Sequence, residues 1–398
     1  MANAEPAGDG YDLFSADYEL HQFGIWAGVR SSGCPVAKTD KWGGSWMVTD
    51  YDGIHAVLHD PATFSSRAVE IAGTVPPVGT GLVMPPVTSD PPVHAAQRDL
   101  LAPFFTLEKV QAMEPFIRER ARSLIGAIAA RGHGDVMEDF TRPFTLSVLT
   151  HLLDVPAHNQ ERFADWAMRI MRLGPTDEKA RSAAINEVLK ALGELIDERS
   201  RQPGDDVISY LTQATLDGQP LTKKHQMGSL MLLVMAGADT TWNTLGASLW
   251  HLAQHPEERA RLIAEPKLLT TGIEEFLRVF APVTLARITT TQTQLHGRCP
   301  MANERVILPL ASANRDPKVF DQPDELQLDR KRNRHITFGS GTHRCLGSHL
   351  ARLELRVGLQ EWLAAMPNYE LADSGPIHWT AGQVRGPEEV RIKVSGTS

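Results

Sequence analysis

The sequence predicts a mainly α-helical protein with a small β portion. Apolar residues recur at helical spacing through most of 93–210, and a single long helical pattern extends over about 221–255. Strand-like runs are short, around 285–289 and 305–308. A chain of 398 residues with 42% hydrophobic content is long enough to bury a large core. A chain of this length can form two or three domains or one large one, and neither a repeat nor a low-complexity linker divides it.

The other elements follow in order along the chain. We expect a mostly irregular arm over about 1–40, a short strand over 46–49 and a helix over 51–59. A loop rich in proline and glycine covers 71–92. Proline and glycine also predict the breaks in the helical region that follows: Pro156, Gly174, Pro175, Pro203 and Gly204.

Composition narrows the class of protein. The three cysteines, Cys34, Cys299 and Cys345, form no C-x-x-C motif, so neither a disulfide framework nor a zinc site is supported. The longest apolar stretch, 230–238, is far shorter than the roughly 20 residues that span a bilayer, and the first residues lack an apolar core. A net charge of −8 argues against nucleic acid as a general partner. We therefore expect a soluble, cytoplasmic protein with no membrane and no nucleic-acid partner.

A glycine-rich stretch, F-G-S-G-T-H-R-C-L-G over 338–347, places Cys345 at the start of a predicted helix. An apolar stripe indicates this helix: Leu346, Leu350, Leu353 and Val357. Free backbone N–H groups and the positive end of a helix dipole stabilise a sulfur anion at such a position. Gly341 and Gly347 would let the backbone approach a flat group, and Phe338 would shield the sulfur from water. A lone cysteine after a glycine-rich turn is otherwise a small buried hydrophobe.

The centre of the long helix carries residues that are unfavourable there. The stretch A-G-A-D-T-T over 236–241 places a glycine, a carboxylate and two hydroxyls in mid-helix. Glycine alone costs about 1 kcal/mol relative to alanine, and an inward polar group needs a partner. The ordinary explanation is that Thr240 bonds to a carbonyl one turn earlier while Asp239 forms a surface ion pair. The alternative is a functional site.

Both stretches resemble motifs of the cytochrome P450 family. The pattern F-x-x-G-x-H-x-C-x-G at 338–347 is similar to the cysteine-ligand loop of that family, and 236–241 is similar to its motif [A/G]-G-x-[D/E]-T-[T/S]. A rival dinucleotide fingerprint, G-x-G-x-x-G, fails because Arg344 stands in place of its third glycine. The resemblance implies the cytochrome P450 fold, as a single haem domain over 1–398, and a haem b (iron protoporphyrin IX) whose iron is bound by the thiolate of Cys345.

The resemblance also implies roles for other positions. Thr240 would donate a hydrogen bond during oxygen activation, and Asp239 would relay protons. Residues beside the haem would be Ala236, Gly237, Phe338, Gly339 and Gly347, with Ala236 and Gly237 leaving room for O2. The haem propionates would be held by cationic or imidazole side chains that are otherwise solvated charges: His94, Arg98, Arg287 and His343. An almost uncharged substrate pocket would be formed by Val83, Leu233, Val234, Val283, Thr284, Gln383 and Val384.

Two further segments match the family with qualifications. Glu275 and Arg278 are similar to its E-x-x-R motif, which alone is an ordinary helix pair. In the family this pair belongs to a buried network under the cysteine loop, so we expect a role in folding and haem retention. The turn over 300–304 lacks the usual glycine, but asparagine tolerates left-handed geometry, so Asn303 can preserve it.

The resemblance implies a monooxygenase that inserts one atom of O2 into an apolar small molecule, by hydroxylation of a terpenoid, alkyl-aromatic or steroid-like substrate. Electrons would come from a separate ferredoxin and ferredoxin reductase, because no flavin, nicotinamide or iron–sulfur motif is found. Two alternatives are a haem-thiolate peroxygenase and a non-catalytic haem gas or redox sensor. The Asp239–Thr240 pair argues against the first, and the lack of a recognisable output domain argues against the second.

Basic residues surround the ligand loop in sequence: Lys331, Arg332, Arg334, His335, Arg344 and Arg352. Such a cluster is either a solvated patch or a docking face for an acidic ferredoxin. The second interpretation predicts a salt-dependent rate of electron transfer.

Overall fold

The mainly α-helical fold class with a small β portion is confirmed by the computed structural model. It describes residues 9–79, 83–155, 162, 165–166, 169–170, 177–373, 375–380 and 382–394. Its helices are α1 (Ala16–Ser31), α2 (Tyr51–His59), α3 (Val93–Leu101), α4 (Leu107–Ala112), α5 (Glu114–Arg131), α6 (Arg142–Leu152), α7 (Glu178–Arg201), α8 (Val207–Gln213), α9 (Lys223–Gln254), α10 (Pro256–Ala264), α11 (Leu269–Val279), α12 (Leu310–Ala313) and α13 (Ser348–Ala365). Its strands are β1 (Val36–Thr39), β2 (Ser45–Val48), β3 (Phe64–Ser65), β4 (His133–Asp135), β5 (Thr215–Leu216), β6 (Gln219–Pro220), β7 (Thr284–Thr289), β8 (Arg305–Pro309), β9 (Tyr369–Leu371) and β10 (Arg391–Val394).

The long central helix α9 positions much of the candidate site. It begins at Lys223, where the Thr222 side chain accepts a hydrogen bond from the His225 backbone N–H at 3.2 Å. It packs against α6, α7 and α13, and fully buried side chains occur along much of its length: Leu230, Met231, Trp242, Leu245 and Leu249. A helix buried on several sides is expected to be apolar all round, so its polar centre at 236–241 needs a specific explanation. Among the described helices, none is both long and apolar enough to cross a membrane.

The largest sheet combines three strands from the first 65 residues of the chain with two strands from 284–309. Its strand order is β1-β2-β8-β7-β3, with β2 and β8 parallel and the other neighbours antiparallel. The predicted strand over 46–49 is therefore β2, and the runs near 285–289 and 305–308 are β7 and β8. The predicted helix over 51–59 is α2.

The prediction of an irregular arm over 1–40 is wrong, because this segment contains α1 and β1. Ser15 caps α1 by accepting a hydrogen bond from the Tyr18 N–H at 3.1 Å. One face of the helix is buried, at helical spacing: Tyr18, Gln22, Trp26 and Val29. Glycines at 24 and 28 and a polar residue on the buried face weaken this pattern in the sequence.

The helical region predicted over 93–210 also needs correction. It contains β4, which pairs with β10 in a three-stranded sheet of order β4-β10-β9. The break predicted at Pro203 and Gly204 is confirmed between α7 and α8, whereas those at Pro156 and at 174–175 lie outside the described residues. The described residues of the predicted loop over 71–92 contain neither helix nor strand.

The E-x-x-R pair forms the centre of a buried network. The Glu275 and Arg278 side chains are fully buried, with Oε1 and Nη2 2.8 Å apart. Arg278 also donates to the backbone carbonyls of Asn314, Pro323 and Glu325. The Asn314 amide then donates to the Thr337 hydroxyl at 2.8 Å, directly before Phe338. The network therefore supports the base of the cysteine loop, as expected.

Candidate functional site

The cysteine loop is a compact turn that ends before α13. The Cys345 N–H donates to the Phe338 carbonyl at 2.8 Å, and a single 3-10 turn forms over Gly341–His343. Cys345 and Leu346 precede α13, because the helix begins at Ser348. The first member of the predicted apolar stripe, Leu346, therefore lies outside the helix. The Gly347 N–H donates a hydrogen bond to the Cys345 sulfur. This amide at the N-terminal end of α13 provides the predicted stabilisation of a sulfur anion.

Cys345 lies inside the protein but faces open space. The residue has accessible surface, although protein atoms enclose it deeply enough that burial raises the pKa of its thiol. These two properties together describe the wall of an internal cavity. The Gly347 amide and the charges of Arg98, Arg344 and Arg352 oppose the effect of burial and favour the thiolate. A bound metal cation would supply the further positive charge that a thiolate needs there.

Different features of the structure explain why glycine occurs at each of three positions in the loop. Gly339 and Gly341 have φ values of +69° and +67°, a region that disfavours side chains. A Cβ on Gly341 would also collide with the Leu58 carbonyl at the end of α2. Gly341 therefore admits α2 and not a flat group, which corrects its expected role. At Gly347, a Cβ would make an ordinary 3.8 Å contact with Phe105.

Four basic or imidazole side chains from three parts of the chain converge beside this loop. His94 and Arg98 come from α3, Arg287 from β7 and His343 from the 3-10 turn. The rings of His94 and His343 pack edge to face, with centroids 4.3 Å apart. Burial, followed by the charges of Arg287, His94 and Arg98, lowers the pKa of His343 to about 3. The structure therefore brings together the four residues predicted to hold propionates.

This cluster fits an anionic group. The Nε2 atoms of His94 and His343 are buried without hydrogen-bond partners. Arg287 is 5% exposed, and its guanidinium donates a hydrogen bond to the Ala286 carbonyl at 2.7 Å. Burial lowers the pKa of Arg287 to about 10, and the charge of Asp90 partly offsets this effect. Unsatisfied buried donors beside concentrated positive charge would be satisfied by carboxylates of the kind that haem carries.

The centre of α9 presents a mixed surface. Ala236 is exposed although it lies in the middle of a buried helix, so it faces open space within the protein. The Thr240 hydroxyl donates to the Ala236 carbonyl at 3.1 Å, as the ordinary explanation required. Asp239, however, is 2% exposed and does not lie at the surface.

Gly237 contacts a neighbouring helix. A Cβ built on it would lie 3.0 Å from Cδ1 of Leu149 on α6. Its missing side chain therefore admits α6, and the expectation that Gly237 also leaves room for O2 beside Ala236 stays a prediction. The contact explains why glycine is tolerated in mid-helix despite its low propensity.

Four of the predicted pocket residues lie together in the structure. Val283 and Val384 form a β-bridge, and the Thr284 N–H donates to the Gln383 carbonyl at 2.9 Å. This contact joins the start of β7 to the C-terminal segment. Val83 is 38% exposed.

The other pocket predictions need qualification. Leu233 and Val234 are 7% and 1% exposed, so Val234 packs within protein and offers almost no surface to a ligand. The Gln383 side chain belongs to the predicted pocket, but its Nε2 donates to the Val69 carbonyl at 3.0 Å. Gln383 therefore holds the segment around Val69 in place.

Sequence reasoning missed Glu274, which pairs with two members of the basic cluster. Its carboxylate accepts hydrogen bonds from Arg352 at 2.6 and 2.8 Å and lies 3.0 Å from His335 Nε2. The Arg352 guanidinium also stacks over the Phe338 ring, 4.5 Å from its centroid. Two members of the basic cluster therefore support the cysteine loop and offer little free charge. A second acidic residue beside Glu275 was the available signal.

Comparisons with known proteins agree with this geometry. Residues 149–366 match the family model described as Cytochrome P450. The chain is 31% identical over 380 residues to the vitamin D(3) 25-hydroxylase of Pseudonocardia autotrophica, covering 94% of this chain and 93% of that protein. It is 35% identical over 350 residues to cytochrome P450-SU2 of Streptomyces griseolus, covering 85% of each. The crystal structure of CYP109E1 from Bacillus megaterium in complex with testosterone has a TM-score of 0.88 at 31% identity, covering 96% of this chain and 100% of that one.

Proposed function

This chain belongs to the cytochrome P450 family and is a haem-containing monooxygenase that uses O2, and on that basis we propose that it hydroxylates an apolar terpenoid, alkyl-aromatic or steroid-like molecule. The observation that carries the assignment of the site is the position of Cys345. Its sulfur faces open space inside the protein, beside the cluster of His94, Arg98, Arg287 and His343.

In this proposal the residues of the loop and of the cluster would together hold haem b. The Cys345 thiolate is the ligand of the iron, stabilised by the Gly347 amide. His94 and His343 donate their unsatisfied Nε2–H groups to the propionates, while Arg98 and Arg287 supply charge. Phe338, held under the Arg352 guanidinium, limits the access of water to the sulfur.

The bound haem supplies thiolate-assisted O–O cleavage, and residues of α9 manage hydrogen bonds and protons. Thr240 exchanges its bond to the Ala236 carbonyl for a donor role toward the open side of the helix. Asp239 is buried beside it and delivers protons from within the helix bundle. Ala236, with its single methyl group, leaves room on the exposed side of α9.

The substrate class is proposed from the character of the pocket walls. Val83, Val283 and Val384 are apolar, the Gln383 amide already donates to the Val69 carbonyl, and Thr284 contributes one hydroxyl. A pocket of this kind favours apolar ligands with few polar groups. One of the proteins compared above is named a vitamin D(3) 25-hydroxylase and another was crystallised in complex with testosterone, which supports a steroid-like member of this class.

For the electron supply we propose a separate ferredoxin and its reductase. The surface nearest Cys345 in sequence has exposed cations at Lys331, Arg332, Arg334 and Arg344. These charges stand out in a chain of net charge −8 and would attract an acidic protein. The intact Asp239–Thr240 pair supports this route over a peroxygenase, which receives its oxygen already reduced.

Titration of the haem-loaded enzyme with a compound panel tests the substrate class. The panel holds a steroid, a terpenoid, an alkyl-aromatic and a charged sugar phosphate as negative control. We expect a saturable shift of the haem absorption band with at least one apolar compound, and an oxygenated product with surrogate ferredoxin, reductase and NADH. Shifts confined to charged ligands would contradict the substrate class. Product formed with hydrogen peroxide but not with the reductase system would contradict the electron supply.

A further inference from the structure

A cluster of metal-binding side chains lies where α9 ends and α10 begins. Among the residues that the structure describes, one group of three His, Cys, Asp or Glu side chains could hold a metal ion, formed by His251, His255 and Glu258. Each offers one ligand atom, and these atoms lie within 4.8 Å of one another. A tetrahedral zinc ion separates its ligand atoms by about 3.3 Å, so small side-chain movements would complete the site.

The local structure aligns these three residues. His251 and His255 are one turn apart at the C-terminal end of α9, and their rings stack with centroids 4.1 Å apart. His255 ends α9 and also begins α10, which places Glu258 in the first turn of the next helix. The arrangement His-x-x-x-His followed by a nearby glutamate is a common geometry for zinc on protein helices.

The cluster has anionic character and an open side. His251 Nε2 and Glu258 Oε2 are 2.7 Å apart, with 12% and 18% of their side chains exposed. The Glu257 carboxylate adds a second negative charge, 3.3 Å from Nδ1 of His255. The neighbouring cation Arg259 is occupied with the carbonyls of Leu252 and Tyr369.

His255 gives an ion a route to the site. Its side chain is 43% exposed, so it can rotate toward an arriving ion without disturbing the core. His251 is held more firmly, because its ring contacts Phe276 and Phe280 of the α11 region. One fixed and one adjustable imidazole allow an ion to be captured from solution.

We propose that His251, His255 and Glu258 bind one divalent transition-metal ion of the Zn²⁺ class, with water in the remaining position. Two imidazoles and one carboxylate suit Zn²⁺ better than Mg²⁺, which requires oxygen ligands. The ion takes the place of the hydrogen bond between His251 Nε2 and Glu258, and each imidazole binds as a neutral ligand through one ring nitrogen while its hydrogen stays on the other. It thereby ties the last turn of α9, the helix that carries Thr240, to α10.

Zinc uptake by the haem-loaded full chain tests this proposal. The affinity tag is removed, the protein is treated with a chelator, and binding is measured by calorimetry and by metal analysis after dialysis against Zn²⁺. We expect one zinc ion per chain, no comparable binding of Mg²⁺, and a higher Tm with zinc. His255→Ala and Glu258→Gln should each weaken zinc binding at least about tenfold while haem content stays unchanged.

His21→Ala is the matched control. His21 forms a similar one-turn pair with Asp17 on α1, at 3.0 Å, but it is exposed, and among the described residues no third ligand accompanies the pair. This variant should bind zinc as the unmodified enzyme does. A chelator-treated enzyme that takes up no zinc would overturn the proposal, and so would His255→Ala and Glu258→Gln variants that keep full stoichiometry and affinity.

Discussion

The Thr240 hydroxyl is held by its own helix and is still positioned to act. Its bond to the Ala236 carbonyl is a local contact of modest net strength, about 1 kcal/mol, so a better acceptor can displace it. The neighbouring Asp239 is 2% exposed, so its carboxylate lies within the helix bundle beside this hydroxyl. A weakly held hydroxyl next to a buried carboxylate is the arrangement that the proposed hydrogen-bond exchange requires.

Replacing Thr240 by alanine should uncouple electron use from product formation. Thr240→Ala should bind substrate and consume NADH, but release hydrogen peroxide in place of most of the product, because the donor that directs proton delivery is lost. Thr240→Ser keeps the hydroxyl and is the control. The measurement is the ratio of product to NADH consumed. Full coupling in Thr240→Ala would rule out this role.

Glu354 on α13 predicts a pH dependence of stability. It is 4% exposed, its Oε2 lacks a hydrogen-bond partner, and burial raises the pKa of its carboxyl well above 4.5. The folded state therefore keeps a proton that the unfolded state releases above pH 4.5. The unfolded state then binds fewer protons, and this group lowers the free energy of unfolding as pH rises.

Glu354→Gln should remove this contribution. Relative to the unmodified enzyme, the free energy of unfolding of the variant should rise by about 1.4 kcal/mol per pH unit between the unfolded and folded pKa values of Glu354. The measurement is the difference in free energy of unfolding between the two proteins, from denaturant titrations at pH 5 to 8. A difference that does not grow with pH would show that Glu354 is ionised or paired in the folded state.

At the scale of elements, the contact between α9 and the segment around Val83 is unusually close. A Cβ on Gly228 would collide with the Val83 carbonyl and would lie 3.0 Å from Pro85 Cδ. The Ser229 hydroxyl also donates to the Pro85 carbonyl at 3.3 Å. The absence of a side chain at Gly228 therefore fixes this segment against α9.

Gly228→Ala should displace the segment around Val83. We expect weaker binding of the apolar substrate, by about tenfold, with haem content and the ligand of the iron unchanged. Gly126→Ala on α5 is the matched control, because nothing lies within 4 Å of its Cβ position. The control should be stabilised by about 0.5–1 kcal/mol through helix propensity. Equal substrate affinity in both variants would remove this contact from the account.

The elements that sequence reasoning found and missed differ in one physical respect. Helices such as α2 and α9 carry their signal in local periodicity and in caps that lie within a few residues. By contrast, β4 is three residues long and is defined by pairing with β10 near the other end of the chain. Asn303 shows the local case again, since its φ of +66° confirms the predicted left-handed turn.

The residues predicted for the site could be chosen for a similar reason. The cysteine loop and the centre of α9 are contiguous motifs, so their composition could be interpreted directly. The sequence does not tell which neighbour a Cβ would meet at a glycine, because Gly237 and Gly341 face helices that are distant in sequence. Glu274 was missed since its partners, His335 and Arg352, lie far along the chain.

For the whole molecule, the distribution of charge predicts how a redox partner approaches. Exposed Arg332 precedes the ligand loop by six residues in the sequence, whereas His335 and Arg352 are paired with Glu274. Arg332→Ala should slow reduction by an acidic ferredoxin at low ionic strength and flatten the dependence of the rate on salt. Lys224→Ala, which removes an exposed cation at the start of α9, is the control. Stopped-flow rates that are equal for all three proteins across a salt series would exclude this face.

The central claim is that the Cys345 thiolate binds the haem iron. The most direct measurement is the absorption spectrum of the ferrous carbon monoxide complex of Cys345→Ser, with His343→Ala as the control. His343→Ala should lose haem more readily but keep the thiolate signature, because it changes only the contact with a propionate. Cys345→Ser should lose that signature, since a neutral hydroxyl cannot supply the charge or donor strength of sulfur. A Cys345→Ser protein that retains the thiolate signature would contradict the account.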